Sequence, residues 1–111
     1  MSEQDIAVTN AAGGIMVAPE GDIDMHRSPE LRAVLRAANE KKPARLIVNL
    51  SKVGYMDSSG LATLVECMRT AKNNKTEMIL CGMNDRVRAI FEIARLDQFF
   101  IIVPTVDDTT V

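Results

Sequence analysis

Short apolar runs that alternate with segments of helical periodicity limit most strongly how this chain can fold. Residues 46–50, 78–81 and 99–103 are apolar runs of strand length. Between them, apolar residues recur at i, i+3, i+4 and i+7, which is the spacing of one helix face. This alternation predicts βαβ units and a largely parallel central sheet. The run at 46–50 is nearly continuous, which favours a central strand covered on both faces.

Capping residues predict where the helices begin. Ser28, followed by Pro29, predicts the cap of the first helix. Asn84 or Asp85 is predicted to cap the third. The apolar positions expected to face the core are Leu31, Val34, Leu35 and Ala38 in the first helix, Leu61, Leu64, Val65 and Met68 in the second, and Val87, Ile90, Phe91 and Ala94 in the third.

The N-terminal part of the chain has the pattern of a β-hairpin. Residues 6–8 and 15–17 are short apolar runs, and the Ala-Ala-Gly-Gly stretch at 11–14 suits a tight turn between them. Pro19 has no N–H for the strand ladder, so the second strand is expected to end there, bulge there or lie at an edge. The predicted order is β-β-α-β-α-β-α-β. We therefore expect an α/β fold with a mixed, mostly parallel sheet and an N-terminal hairpin, in one domain over residues 1–111.

Composition excludes several kinds of protein. The net charge of −2, without any basic run, gives no nucleic-acid footprint. Cys67 and Cys81 form no C-x-x-C pair and His26 is the only histidine, so we expect no metal site and two free thiols in a reducing compartment. The N-terminus has no signal-peptide pattern, and no apolar run approaches the roughly 18 residues of a membrane span. A cytoplasmic protein with no membrane partner is the expectation.

The stretch Asp57-Ser58-Ser59-Gly60 lies between a predicted strand and a predicted helix, and three roles are open for it. The first N–H groups of a helix lack intrahelical partners and carry partial positive charge, so Ser58 or Ser59 can cap them. The same position also suits a phosphoserine. Asp57 at a strand end resembles the phosphoacceptor of response-regulator receiver domains, but the late lysine of that family is missing, since no lysine follows Lys75.

Catalysis by these serines is disfavoured by their neighbours. A nucleophile elbow needs glycine two residues before and two after the serine. Met56 stands two residues before Ser58, and Asp57 stands two before Ser59. A serine triad would have to recruit His26, and no glycine-rich phosphate loop is present. We expect no enzyme, no catalytic residue and no cofactor.

Two motifs resemble one protein family. The segment YMDSSGLATLV is similar to the phosphorylation-site segment of STAS-domain anti-sigma factor antagonists, which are bacterial stress and sporulation regulators in phospho-regulated sigma-factor pathways. The segment EGDIDMHRSPELRAVL resembles their second signature, in which an acidic turn leads into the first helix. The resemblance covers nearly the whole chain and implies a single STAS-like domain with the predicted element order.

The resemblance also implies a mechanism of partner switching. The unphosphorylated antagonist binds an anti-sigma factor, which is itself a serine kinase with a GHKL-type ATPase fold, and the sigma factor is released. The kinase phosphorylates the serine directly after the aspartate, here Ser58, and binding is switched off. A PP2C-type phosphatase restores the unmodified protein. The chain is expected to be a monomer.

By the same resemblance, a partner-binding surface is expected at Asp24, Asp57, Ser58, Ser59, Gly60, Ala62 and Glu66. Each position also has a simpler structural explanation. Asp24 suits a loop or helix start, Ser59 suits a cap, and Gly60 suits loop geometry. Glu66 is spaced to pair with Arg69 at i, i+3.

A second class of function remains open within the family. Ala62 stands where many members have glycine, which leans towards the branch whose members pack permanently on another protein. The chain would then be a constitutive STAS subunit of an ABC-type lipid transporter or of a stressosome-like scaffold. Such a subunit would not need Ser58 as a phosphate acceptor.

Overall fold

A five-stranded sheet with strand order β1-β2-β3-β4-β5 forms the centre of the molecule. The computed structural model describes residues 6–11 and 13–109. In chain order its elements are β1 Ala7–Ala11, β2 Gly14–Ala18, α1 Ser28–Glu40, β3 Arg45–Asn49, α2 Ser58–Asn73, β4 Glu77–Cys81, α3 Asp85–Ile93, β5 Ile101–Val103 and a 3-10 helix, Val106–Thr109. β1 and β2 are antiparallel, and all other neighbouring strands are parallel. The predicted fold class and order are confirmed.

The N-terminal hairpin also forms as predicted. Gly13 has a φ of 81°, a left-handed conformation that favours glycine. Ala12, the other residue between the two strands, lies outside the described residues. β2 ends at Ala18, directly before Pro19, which confirms the first of the three alternatives for this proline.

The core lies between the sheet and the three helices. Alternate residues of the parallel strands, among them Val17, Val48 and Leu80, join one buried cluster with the inner faces of α1, α2 and α3. On the opposite face of the sheet, Ile47 and Ile79 are also buried. Arg45 shares that face and donates to the Thr109 carbonyl at 2.9 Å, which holds the 3-10 helix there. β3 is therefore a central strand covered on both faces, as its apolar run predicted.

The cap of α1 differs from the prediction. Ser28 is the first helical residue, and the N-cap is Arg27, whose side chain makes no capping hydrogen bond. The Asp24 carboxylate accepts from the backbone N–H of His26 at 2.9 Å and of Arg27 at 3.2 Å. The Asp24 carbonyl accepts from the N–H of Arg27 and of Ser28. A turn closed by Asp24 therefore leads into α1 and satisfies the N–H groups just before and at its start, and no serine side chain caps the helix.

The C-terminal third follows the prediction with shifted boundaries. Asn84 caps α3, since its side-chain oxygen accepts from the N–H of Val87 at 2.8 Å. Ala94 is exposed rather than buried, because α3 ends at Ile93. β5 begins two residues later than expected, because Phe100 turns into the core and makes an edge-on contact with Phe91 at 5.6 Å between ring centroids.

Candidate functional site

Asp57, not a serine, caps α2. Its Oδ1 accepts from the backbone N–H of Ser59 at 2.9 Å and of Gly60 at 3.3 Å. The Ser59 hydroxyl donates to the same oxygen at 2.6 Å. The expectation that Ser58 or Ser59 would be the cap is therefore wrong. Asp57 has the extended backbone of an N-cap residue, and both serines already belong to the helix, so the aspartate alone is placed to reach these donors.

These contacts stabilise the charged form of Asp57. The pKa of this carboxyl is lowered, above all by the Ser59 hydroxyl and further by backbone N–H groups of Gly60, Ser59 and Met25, against an opposing effect of burial. Asp57 is therefore ionised at neutral pH. The backbone bond from Met25 also brings the turn after Asp24 to this site. Whether the two aspartates share a partner-binding surface stays a prediction.

Ser58 stands apart from this network. Its side chain is exposed, and within residues 6–11 and 13–109 its hydroxyl makes no hydrogen bond. Ser59 is half-buried and bonded to Asp57. Of the two adjacent serines, Ser58 is thus the one that an external protein can reach without breaking an internal contact.

Two sides of the molecule hold the loop that leads to Ser58. On one side, the N–H of Ile23 donates to the Tyr55 carbonyl and the N–H of Asp57 donates to the Ile23 carbonyl, both at 3.0 Å. On the other side, the start of α3 contacts the loop. The Asn84 amide donates to the carbonyls of Val53 and Gly54, both at 3.3 Å.

Gly60 serves the internal packing of α2. It is buried, and a Cβ at this position would lie 2.5 Å from Met56 Cγ and 3.1 Å from Ile23 Cγ2. Glycine therefore lets the first turn of α2 approach these two core side chains. This contact explains the glycine without reference to a partner, and whether a partner also touches Gly60 stays a prediction.

Glu66 pairs with α1 and not with Arg69. Its carboxylate lies 3.2 Å from Arg32 Nε and 2.7 Å from an Arg36 guanidinium nitrogen. The predicted i, i+3 pair with Arg69 is therefore wrong, because the Glu66 carboxylate forms its ion pairs with two arginines of the neighbouring helix. Ala62 and Arg69 are exposed on α2, as expected for residues on its solvent side.

A groove runs between α2 and α3 and begins at Ser58. Its first part, the Ser58 groove, has a volume of about 390 Å³ and is lined by Tyr55, Met56, Asp57, Ser58, Leu61, Ile90, Ile93 and Ala94. A second part of about 540 Å³ continues along α2 past Ala62, Glu66 and Arg69 to Leu96. Leu61 lines both parts, so the two depressions adjoin at this residue.

Exposed apolar side chains gather around Ser58, and sequence reasoning missed them. Ile93 is 83% exposed, Met25 69% and Tyr55 40%. They are three of the five large hydrophobic residues that are exposed in the described part of the chain. Ile93 lies outside the apolar face of α3, and Met25 lies in a polar turn. The sequence signal for both is an apolar residue at a position where the pattern predicts an exposed polar one. Such clusters mark interaction surfaces.

The remaining candidates fall outside this site. Cys67 and Cys81 are free, as predicted, and both are buried. Burial raises the pKa of the Cys67 thiol to about 12. Among the residues that the structure describes, no group of three or more His, Cys, Asp or Glu side chains is placed to hold a metal ion. In the same part of the chain, no helix combines the length and the apolar character needed to cross a membrane.

Comparison with known proteins gives consistent matches. The family model of the STAS domain matches residues 5–109. The anti-sigma-B factor antagonist of Staphylococcus aureus is 36% identical over 76 residues, which cover 68% of this chain and 70% of that protein. The protein of the same name from Listeria monocytogenes is 32% identical over 82 residues, 74% of this chain and 72% of that protein. The crystal structure of an anti-sigma factor antagonist from Mycobacterium paratuberculosis has a TM-score of 0.86 at 26% identity, over 94% of this chain and 88% of that one.

Proposed function

Since this chain belongs to the STAS domain family, we propose that it is an anti-sigma factor antagonist that binds its partner through the face around Ser58. The names of its relatives support the general function. One structural observation supports the location of the binding face: the exposed Ser58 lines one groove together with the exposed side chains of Tyr55 and Ile93. In this proposal the unphosphorylated chain captures an anti-sigma factor in the cytoplasm and thereby releases a sigma factor.

Phosphorylation of Ser58 is the proposed off-switch. A phosphate adds about −1.5 to −2 charge at neutral pH, next to the ionised Asp57. The N–H groups of Ser59 and Gly60 already bond to Asp57, so they cannot also bind the phosphate without displacing it. The new charge then faces the groove and any partner packed on it. A loss of about 3 kcal/mol would weaken binding roughly a hundredfold.

The proposed partners follow from the family resemblance. The anti-sigma factor is a GHKL-type ATPase that also phosphorylates Ser58, and a PP2C-type phosphatase removes the phosphate. The chain itself binds rather than catalyses, needs no cofactor and acts as a monomer. Ser58 and Ala62 are exposed and available for contact, whereas Asp24, Asp57, Ser59 and Gly60 shape the surface through internal contacts. The ion pairs with Arg32 and Arg36 hold the Glu66 side chain in place at the proposed partner surface.

Capture from native lysate with three matched baits tests this proposal. The baits are Ser58→Ala, Ser58→Asp and Ala33→Glu, and captured proteins are identified by mass spectrometry. Ala33 is exposed on α1 and lines no part of the groove, so Ala33→Glu controls for an added negative charge elsewhere. The proposal requires that Ser58→Ala and Ala33→Glu retain a GHKL-type ATPase and that Ser58→Asp does not.

The captured ATPase then provides a direct test of modification. With ATP it should phosphorylate the wild-type chain at Ser58 and leave the Ser58→Ala variant unmodified. If all three baits instead retain the same transporter or scaffold proteins equally, charge at Ser58 is not read. The chain would then be a constitutive STAS subunit, and the switch proposal would be wrong.

A further inference from the structure

Asn84 makes contacts with two elements at once. Its side-chain oxygen accepts from the N–H of Val87 at 2.8 Å and so caps α3. Its side-chain nitrogen donates to the carbonyls of Val53 and Gly54, both at 3.3 Å. One amide group therefore joins the first turn of α3 to the loop between β3 and α2.

Both elements that Asn84 joins form walls of the Ser58 groove. The loop supplies Tyr55 and leads into Ser58, and α3 supplies Ile90 and Ile93 on the other side. A second contact reinforces the junction, since the Arg86 guanidinium lies 5.7 Å from the centre of the Tyr55 ring. The distance between these two walls therefore depends on how the start of α3 is fixed to the loop.

We propose that Asn84 is a positioning residue of the Ser58 groove: its amide fixes the loop that carries Tyr55 and Ser58 against α3, and so sets the spacing that a partner reads. The last part of this proposal rests on the proposed function of the groove. The first part concerns the chain alone and is testable without any partner.

Two substitutions separate the two roles of Asn84. Asn84→Asp and Asn84→Ser both keep an oxygen that can accept from Val87, since Asp and Ser are favoured N-cap residues. Both remove the Nδ2–H donors to Val53 and Gly54. Asp places a carboxylate oxygen against two carbonyl oxygens, and Ser has one hydroxyl hydrogen on a side chain that is one atom shorter. The helix cap is thus retained while the contact with the loop is lost.

Asn74→Asp is a matched control for this chemical change. The Asn74 side-chain nitrogen donates to the Asn39 carbonyl at 3.0 Å, at the far ends of α1 and α2. The substitution again turns an amide that faces a carbonyl into a carboxylate. Asn74 lines no part of the groove between α2 and α3, so any effect on Ser58 should be absent.

The first measurement is amide hydrogen exchange by NMR on the full chain. The reporters are the N–H groups of Ile23 and Asp57, whose hydrogen bonds both join the loop to the Ile23 segment, with the Phe91 N–H of α3 as the internal reference. In both Asn84 variants the two reporters should exchange about fivefold to twenty-five-fold faster, since two hydrogen bonds are lost and each is worth roughly fivefold. Phe91 should keep its rate, and Asn74→Asp should leave Ile23 and Asp57 at wild-type rates.

The second measurement is the affinity for the ATPase that the Ser58→Ala bait retrieves. The affinity of both Asn84 variants should fall at least about tenfold. Their unfolding midpoints in urea should stay close to that of Asn74→Asp, so that the loss of affinity does not come from unfolding. Unchanged exchange at Ile23 and Asp57, or faster exchange of Phe91 to the same degree, would overturn the proposal. Faster loop exchange with unchanged affinity would also overturn it, because the partner would not read the spacing. If no ATPase is retrieved at all, the proposed function fails, while the exchange data still decide whether Asn84 positions the loop.

Discussion

The Ser59 hydroxyl donates a 2.6 Å hydrogen bond to Asp57 Oδ1, whereas the hydroxyl of the adjacent Ser58 is exposed. The same Asp57 oxygen accepts from the backbone N–H of Ser59 and of Gly60. One serine is therefore part of the cap that begins α2, and the other is left free at the surface. Substitutions can therefore separate the role of Ser59 in the cap from the role proposed for Ser58 as the phosphate acceptor.

The two serines should differ in their contribution to stability. Ser59→Ala removes the bond to Asp57 and should lower the free energy of unfolding by about 1 kcal/mol, because both residues are half-buried and solvent screening reduces the extra strength of a bond to a charged group. Ser58→Ala removes no hydrogen bond among residues 6–11 and 13–109, so its stability should stay within about 0.5 kcal/mol of wild type. Urea unfolding of both variants measures the difference. Equal destabilisation by the two substitutions would contradict this division of roles.

The stability that Asp57 provides should depend on pH in acid. The pKa of Asp57 is lowered in the folded chain, above all by the Ser59 hydroxyl, so the ionised form is bound more favourably in the folded state. Its contribution is fully present above the unfolded pKa of about 3.9 and is lost as the pH falls through the lower, folded value. Asn caps as well as Asp but does not titrate, so Asp57→Asn is the reference.

Urea unfolding of wild type and Asp57→Asn from pH 7 to pH 3 measures this effect. The advantage of the wild type should be constant above about pH 5 and should shrink below about pH 4. A constant difference down to pH 3 would show that the charge of Asp57 does not contribute to folding.

Gly60→Ala should destabilise the chain through a clash with Met56. The added Cβ would lie 2.5 Å from Met56 Cγ, and Met56 is fully buried, so its side chain must move within a packed core. Overpacking of this kind costs about 1–3 kcal/mol. Urea unfolding measures the loss of stability. Gly54→Ala is the control and should lose less than Gly60→Ala, because its Cβ would meet only Asp22 Oδ1, at 3.2 Å.

A double-mutant cycle identifies Met56 as the cause. Met56→Ala alone should cost about 2–5 kcal/mol through the cavity it leaves. Combined with Gly60→Ala, the new methyl group occupies part of that cavity, so the double variant should lose less than the sum of the single losses. Simple additivity would show that the clash lies elsewhere.

Glu66→Gln should weaken the contact between α1 and α2. It removes the ion pairs with Arg32 and Arg36, which are partly exposed, so the loss should be about 1 kcal/mol or less and should diminish at high salt. Arg69 is exposed, and in the described part of the chain it forms no ion pair, so Arg69→Gln should change stability by less than about 0.5 kcal/mol. Urea unfolding at low and high salt compares the two. A larger effect at Arg69 would contradict the observed pairing.

The two native thiols should be unreactive in the folded chain. Cys67 and Cys81 are buried, and burial raises the pKa of Cys67 to about 12 and raises that of Cys81 as well. The reactive thiolate is therefore scarce at pH 8, and the sulfur atoms are inaccessible. A thiol reagent that absorbs on reaction should label neither cysteine until urea is added. Ala33→Cys, at an exposed position of α1, should add one thiol that reacts at once, and labelling of the wild type at a similar rate would rule out the burial described.

Local pattern was sufficient for the element order. The apolar runs at 46–50 and 78–81 and the helical spacing between them predicted the parallel sheet, because strand and helix periodicities differ within a few residues. The Asn84 cap and the end of β2 at Pro19 also follow from single residues with strong local preferences. The predicted element boundaries were wrong where tertiary packing competes with local preference. Phe100 was predicted in the last strand, but its side chain is buried in the core and β5 begins at Ile101.

The tertiary structure decided which residues meet. The sequence alone placed Asp57, Ser58, Ser59 and Gly60 together at the start of a helix, but it predicted Ser58 or Ser59 as the cap of α2, because a serine oxygen can accept from the same backbone N–H groups as an aspartate oxygen. The folded chain uses Asp57. Only the folded chain brings Ile93 from α3 and Met25 from a distant turn to the surroundings of Ser58, and turns Glu66 towards α1. Periodicity fixes what a segment becomes, since it depends on neighbours in the chain. The site depends on contacts between segments far apart in sequence, and these are set by the way the helices pack on the sheet.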